Sequence, residues 1–442
     1  MITRSQRAAR ARPAFKERAP ALVAQLGIGG PPFEHSDLSN LALWFASGPE
    51  TMVVAVGPEE LLTTMDKVLA WSIAWQGDRR LVILCSDGYE GKTLERLPWI
   101  TRPIEVHTYG EDFLLSGRKA PLTKAETIAL ARDPDGRPVR PLGSHELGSE
   151  TEALKIGRLI RWLDGNDQLT PAGRQHNHTW TCAGLGVARM QGKTTTTVHI
   201  TAGVDYSKPV PGVKEPAFKV SVTRDKPLTD EDFDEIKARI RRACDERLGG
   251  DVTYLEHRMQ CNLLKLLNGD PDLGLRRLGI KDARREYPAY RGEGDEGLID
   301  FLGIDVDNRL HIVETKANPN DVPVVLQAID YSVWVMANQT EIRNTMDPPP
   351  GWQPAGSDDS IVIDFICAPK VRSEKELRSG RALKAIGPYM RAQLHALSPD
   401  LDWRIWLQAG ALDERCELAE LPRNEITEAQ VLVSKQIDGW KW

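Results

Sequence analysis

The sequence predicts a multidomain α/β chain in which two strand-and-helix regions flank a β-rich middle segment. Three observations lead there. The 442 residues exceed one ordinary domain. Apolar strand-like runs alternate with helical patterns toward both ends. Between them lies a stretch rich in Thr and Val and bounded by Gly and Pro, which fits antiparallel strands. A hydrophobic fraction of 41% and a charged fraction of 27% belong to a globular chain. The formal net charge of −6 neither requires nor excludes a nucleic-acid partner, because local patches decide that. Six scattered cysteines with no CxxC pair point to no zinc site and no disulfide framework, as in a reducing, cytoplasmic setting. No apolar run approaches the length of a membrane span, so no membrane partner is expected.

Taken in order, residues 1–45 read as a basic tail. Arg4, Arg7, Arg10, Arg12, Lys16 and Arg18 are opposed only by Glu17, and a frayed, solvated segment is expected. Residues 46–148 form an α/β domain. Buried strands are expected over 51–56, 81–85 and 104–107, and a helix opens at Pro58-Glu59 with Leu61, Leu62, Met65, Val68, Leu69 and Ile73 as its apolar positions. The Pro-, Gly- and charge-rich 118–148 reads as a long connection. Residues 149–249 form the β-rich middle domain. It has a helix over 150–163, strands over 179–190, 194–204 and 218–223, and a helix capped by Thr229 with an acidic first turn, Asp230-Glu231-Asp232. Residues 250–442 form the last domain. A helix over 253–267 precedes two strands and a helix between 298 and 334. A Pro-rich loop, a strand over 361–367, a mainly helical 373–397 and a strand over 403–407 follow.

The chemistry concentrates between Glu286 and Trp334. Asp300 sits in the apolar run Leu298-Ile299-Asp300-Phe301-Leu302. After a turn at Asp305-Val306-Asp307-Asn308, a second apolar run carries Glu314 and Lys316. Side chains alternate across a strand, so Glu314 and Lys316 share a face. If the strands pair through the turn, Asp300 and Glu314 can share one hard cation, with the Thr315 carbonyl as a further oxygen ligand. Magnesium suits such a site, and manganese can substitute. The cation would stabilise charge on a scissile phosphate and acidify a water. Lys316 would position that water or the phosphate and offset charge in the transition state. A Glu-x-Lys pair in a strand most often lies on a solvated face. Here both strands are otherwise apolar, and buried charges need partners.

These residues resemble the PD-(D/E)XK nuclease superfamily, most closely its RecB-like and NucS-like branch. The matching motifs are Gly297-Leu298-Ile299-Asp300-Phe301-Leu302-Gly303, Ile312-Val313-Glu314-Thr315-Lys316 and Gln327-Ala328-Ile329-Asp330-Tyr331. Ile299 stands where the nominal motif has Pro. The resemblance covers roughly residues 250 to 410. It implies a C-terminal restriction-endonuclease-like core, with Asp300 and Glu314 as metal ligands and Lys316 as the catalytic lysine. Gln327 and Tyr331, four apart on one helix face, would flank the site. Glu256 would be the carboxylate on the preceding helix, with Glu286, Glu293 and Glu296 as alternatives. The implied activity is Mg²⁺-dependent hydrolysis of a phosphodiester, most readily in DNA, leaving a 5′ phosphate and serving genome defence or repair. Nothing in the sequence reads a 2′-hydroxyl, so RNA stays open. Lys281, Arg284, Arg285 and Arg291, with Arg276 and Arg277, could track phosphates. Two alternatives stand beside this reading: a nuclease effector switched by a ligand or partner at the N-terminal domain, and a non-enzymatic nucleic-acid-binding module. Homo-oligomers are compatible with either.

Three other signals carry less. Gly192-Lys193-Thr194-Thr195 looks like the end of a P-loop, but Val187 stands where the first Gly belongs and the following run reads as strand. His176-Asn177-His178 spells a nuclease motif that is not a contiguous tripeptide. Cys85-Ser86-Asp87-Gly88 follows a buried strand, where open α/β sheets bind ligands, but lacks a glycine fingerprint.

Overall fold

The computed structural model describes residues 4–28, 32–33, 43–58, 60, 62–132, 154–174, 177–182, 185–194, 197–203, 217–249, 255–268, 270–290, 296–317, 323–345, 360–368, 386–409 and 416–426. They form a mixed α/β structure with three sheets.

The first sheet contains β1 (Pro32–Phe33), β2 (Leu43–Ser47), β3 (Thr51–Val56), β4 (Arg80–Ser86), β5 (Ile104–Tyr109) and β6 (Leu115–Lys119), in that spatial order. Strands β3, β4 and β5 are parallel, and the others pair antiparallel. Strands β3 and β4 are buried along most of their length, which is why they read as unbroken apolar runs, whereas β5 carries half-buried Glu105 and His107. One face meets α1 (Arg4–Ala24) through Phe15, Ala19, Leu22 and Val23 packed on Val53, Ala55, Val82 and Leu84. The expected frayed tail is therefore in large part a docked helix. Its charges obscured an apolar stripe at 15, 19, 22 and 23, a helical period. The helices that follow are α2 (Leu62–Gln76), α3 (Thr93–Arg96) and α4 (Lys124–Ala131). The last lies inside the stretch expected to be a connection. Thr123 and Glu126 start it with a reciprocal capping box.

The middle unit is an antiparallel sheet of β7 (Thr170–Arg174), β8 (Asn177–Cys182), β9 (Leu185–Thr194), β10 (Thr197–Ala202) and β11 (Phe218–Thr223). Helices α5 (Gly157–Asp164) and α6 (Asp230–Gly249) share its core through Leu159, Leu163, Ile236 and Ile240. Gly192, Lys193 and Thr194 end β9, so no phosphate-binding helix follows them.

The third sheet has the order β12 (Ile280–Tyr290), β13 (Glu296–Asp305), β14 (Leu310–Lys316), β15 (Ile361–Cys367), β16 (Asp402–Ala409) and β17 (Glu417–Leu421). The first three strands form an antiparallel meander. Strands β14, β15 and β16 run parallel, and β17 returns antiparallel. Helices α7 (Leu255–Lys265) and α8 (Gly274–Arg277) cover one face through Met259, Leu263 and Leu275 packed near Phe301, Val313 and Ile366. Helices α9 (Val324–Thr345) and α10 (Pro388–His395) cover the other.

Helices α2, α9 and α10 lie in one apolar cluster with residues of both the first and third sheets. Val54, Leu81 and Ile83 contribute from one side and Ile363, Phe365 and Ile405 from the other. A buried ion network crosses the same layer. Arg96 gives Asp330 two hydrogen bonds, of 2.8 and 2.7 Å, and also pairs with Asp66. All six cysteines are buried free thiols. Among the described residues no helix is long and apolar enough to cross a membrane.

Candidate active site

Strands β13 and β14 pair from Ile304↔Leu310 to Phe301↔Val313, and the ladder stops there. On the other side β12 pairs Arg285↔Phe301 and Tyr287↔Ile299, passing over Asp300. Opposite that gap, Glu286 holds φ 52°, a left-handed backbone that a non-glycine residue adopts only at a cost. Asp300 thus lies where the ladder is broken toward both neighbours, the kind of irregularity that re-aims a side chain. Its Oδ2 accepts the Thr315 backbone N–H at 2.7 Å and the Thr315 hydroxyl at 2.6 Å. Three residues on, Gly303 lets β12 approach closely, since a Cβ there would sit 2.8 Å from Ile280.

Leu310 and Ile312 of β14 pack with Tyr331 and Trp334 of α9, while Val313 packs toward α7. Glu314, two residues after Ile312, belongs to the α9 face. It is only 3% exposed, and among the described residues its Oε1 has no hydrogen-bond partner. Burial holds the Glu314 carboxyl well above the usual range, and the neighbouring Asp300 and then Glu256 push it the same way, against Lys316 and a hydrogen bond from the Asp300 backbone. Lys316 Nζ donates to Glu256 Oε1 at 3.3 Å, and the Ala317 N–H donates to Glu256 Oε2 at 3.4 Å. Burial also raises Glu256, with Lys316 opposing and Asp300 reinforcing. Three carboxylates therefore share one neighbourhood with one lysine.

Tyr331 is buried and donates its hydroxyl to the Leu298 carbonyl at 3.0 Å, so it anchors β13 two residues before Asp300. Gln327 is half-buried in the first turn of the same helix. Its side chain makes no hydrogen bond among the described residues. Thr315 meets Asp300 through its N–H and hydroxyl, a role the sequence reading had not assigned to it. Of the six cations expected to track phosphates, Arg285 is buried instead and bonded to Gln260, His257 and Glu286. Lys281 donates to Asn308 at 3.2 Å, and half-buried Arg284 lies 3.7 Å from Asp282. Arg291 and Glu293 lie outside the described residues, as does the side chain of Glu296.

The sequence reading missed Gln260, whose Nε2 donates to the Thr315 hydroxyl at 2.8 Å. The available signal was its place one helical turn after Glu256, on the same face of α7. His257 was missed as well. It is half-buried, and burial with the adjacent Arg285 lowers its pKa, favouring the neutral ring.

Among the described residues no group of three or more His, Cys, Asp or Glu forms a ready ligand set for a metal. Magnesium does not require one, because it keeps several waters and binds through one or two carboxylates plus substrate phosphate. The unpartnered, buried Glu314 oxygen beside Asp300 fits that need. No protein-family model matches the chain, and no curated protein matches its sequence. The site is read from its own chemistry.

Proposed function

We propose that this chain is a divalent-metal-dependent nuclease with a restriction-endonuclease-like C-terminal core, acting most readily on DNA. The observation that carries the reading is the gathering of Asp300, Glu314, Glu256 and Lys316 at a break in the sheet, with one Glu314 oxygen buried and unpartnered. In its ionised form such a carboxylate is costly unless a cation arrives. Asp300 and Glu314 would hold magnesium, with manganese as a substitute. When bound, the ion supplies charge stabilisation at the scissile phosphate and lowers the pKa of a water. Lys316, aligned by Glu256, places a positive charge beside the attacked phosphate and offsets the charge that builds on its oxygens. Glu256, with its raised pKa, can take a proton from the attacking water or return one to the leaving group. Tyr331 keeps β13 in register so that Asp300 stays aimed.

One observation favours the effector reading as a second possibility. Arg96 of the first unit is bonded to Asp330, the neighbour of Tyr331 on α9. A ligand or partner acting on the first unit would have a direct mechanical route to the site. A non-enzymatic module fits less well, because it gives no reason to keep a buried carboxyl with one oxygen unpartnered among the described residues.

The test is to incubate wild type, Asp300→Asn, Glu314→Gln and Lys316→Met with labelled single- and double-stranded DNA and RNA, in Mg²⁺, Mn²⁺ or EDTA. Metal-dependent cleavage by wild type that all three variants lose supports the reading. Equal cleavage by the variants, or cleavage in EDTA, overturns it.

A further inference from the structure

The geometry points to a one-way hydrogen-bond relay, Arg285 to Gln260 to Thr315 to Asp300, that orients Asp300 toward a divalent cation and makes Gln260 and Arg285 positioning residues of the site. The inference deepens the proposed nuclease reading and rests on it.

The direction of each bond follows from chemistry. A guanidinium only donates. Arg285 Nε and Nη2 both reach Gln260 Oε1, at 3.2 and 2.9 Å. That fixes which end of the Gln260 amide is oxygen, an ambiguity that only the surrounding network can resolve. The amide nitrogen is left facing Thr315, and it donates to Oγ1 at 2.8 Å. With that lone pair used, the hydroxyl proton turns to Asp300 Oδ2 at 2.6 Å. The Thr315 backbone N–H completes the pair of donors on the same oxygen at 2.7 Å. Both of these donors fall on Oδ2, which leaves Oδ1 as the atom to meet a cation.

Burial makes the relay rigid. Thr315 is 0% exposed, Gln260 2% and Arg285 8%. Further contacts pin Arg285. It lies 3.4 Å from His257 Nδ1, where a neutral ring accepts, 3.5 Å from Glu286 Oε1 and 3.9 Å from Cys261 Sγ. The Glu286 contact ties the relay to the left-handed residue opposite Asp300. A carboxylate in solution rotates freely, whereas this one is held by donors whose polarity is set three residues away. Outer hydrogen-bond partners of this kind commonly change metal affinity tenfold or more when removed.

The experiment is a Mn²⁺ binding titration of the full chain by electron paramagnetic resonance, with melting curves to confirm folding. Thr315→Val removes the hydroxyl but keeps the β-branched shape and the backbone donor. It should weaken Mn²⁺ binding about tenfold, while Thr315→Ser binds as wild type. Gln260→Met should weaken binding to a similar degree and Arg285→Met somewhat less. The double variant should be no worse than Gln260→Met alone, because Arg285 acts through Gln260. A generally loosened fold would multiply the two effects instead. If Asp300→Asn loses Mn²⁺ but Thr315→Val binds as wild type, or if the double variant multiplies the losses, the relay is overturned and the metal site stands. If wild type binds no Mn²⁺, the metal site and the relay fall together.

Discussion

The third sheet holds two buried charged clusters on the same strands, and they are solved in opposite ways. At the hairpin end, His311 is fully buried between Asp364 Oδ2 at 2.6 Å and Asp305 Oδ2 at 3.1 Å. Arg404 donates to both oxygens of Asp364, Trp406 donates to Oδ1, and Arg309 donates to Asp305 from side chain and backbone. Two carboxylates there face three basic groups. At the other end of the same strands, three carboxylates share one lysine, and among the described residues one Glu314 oxygen has no partner. A buried charge is stable only when paired and hydrogen-bonded. The closed cluster meets that condition by itself. The open one does not: burial relieves its excess carboxylate charge by raising the Glu314 pKa, and under the proposed function a divalent cation would take the place of that proton.

The largest effect that sharpens this contrast is on activity. Asp300→Asn or Glu314→Gln should lower metal-dependent cleavage by roughly a thousandfold or more, measured by initial rates on labelled DNA. Lys316→Met should fall in the same range.

Stability should respond in the reverse order. Asp364→Asn leaves His311 and Arg404 without their shared carboxylate and should cost about 3–5 kcal/mol in urea unfolding. Glu314→Gln removes a carboxyl that burial already disfavours. It should leave stability unchanged or raise it when metal is absent. Equal losses from the two substitutions would break the comparison.

Titration separates the clusters further. Despite burial, the hydrogen bonds that His311 gives to Asp305 and Asp364 raise its pKa above the ordinary value. Its stabilisation is therefore full below about pH 6.5 and fades as pH rises through the higher folded value. Asp305 and Asp364 run the other way. Burial raises them, but His311 and the nearby arginine groups win and hold both below the usual range. Their stabilisation is full above about pH 4 and is lost as pH falls through the folded values. Unfolding midpoints from acid to alkaline pH should show both limbs, and His311→Gln should remove the alkaline one. Glu314 has a raised pKa, so metal must displace its proton. Mn²⁺ affinity should climb with pH through that raised value and then level off, as read by calorimetry in buffers of different ionisation enthalpy.

The last expected effect concerns the layer between the sheets. Arg96→Met removes both hydrogen bonds that Asp330 receives from Arg96 in the core beside Tyr331 and should lower stability by about 3 kcal/mol. A parallel loss of cleavage at a temperature where the variant is still folded would support coupling from the first unit to α9.

Much of the third sheet was legible in the sequence because β14 and β15 are apolar on both faces and interrupted by charge only where charge matters. The strand expected over 361–367 matches β15, and Glu314 and Lys316 fall in the strand expected for them. Four features were hidden. The apolar stripe of α1 is masked by arginines and by Pro13 and Pro20 within the helix. Arg285 reads like its neighbour Arg284, and only the three-dimensional packing turns one into the core. The shared layer of α2, α9 and α10 depends on which apolar surfaces meet, and periodicity does not encode that. The gap at Asp300 is hidden for a related reason: a broken ladder is a property of three strands at once.

The most direct test is anomalous diffraction from crystals of the full chain soaked in Mn²⁺. The account predicts one Mn²⁺ within about 2.3 Å of Glu314 Oε1 and Asp300 Oδ1, and none between Asp305 and Asp364. An empty Asp300–Glu314 gap at saturating Mn²⁺, or an ion held in the His311 cluster instead, would contradict it.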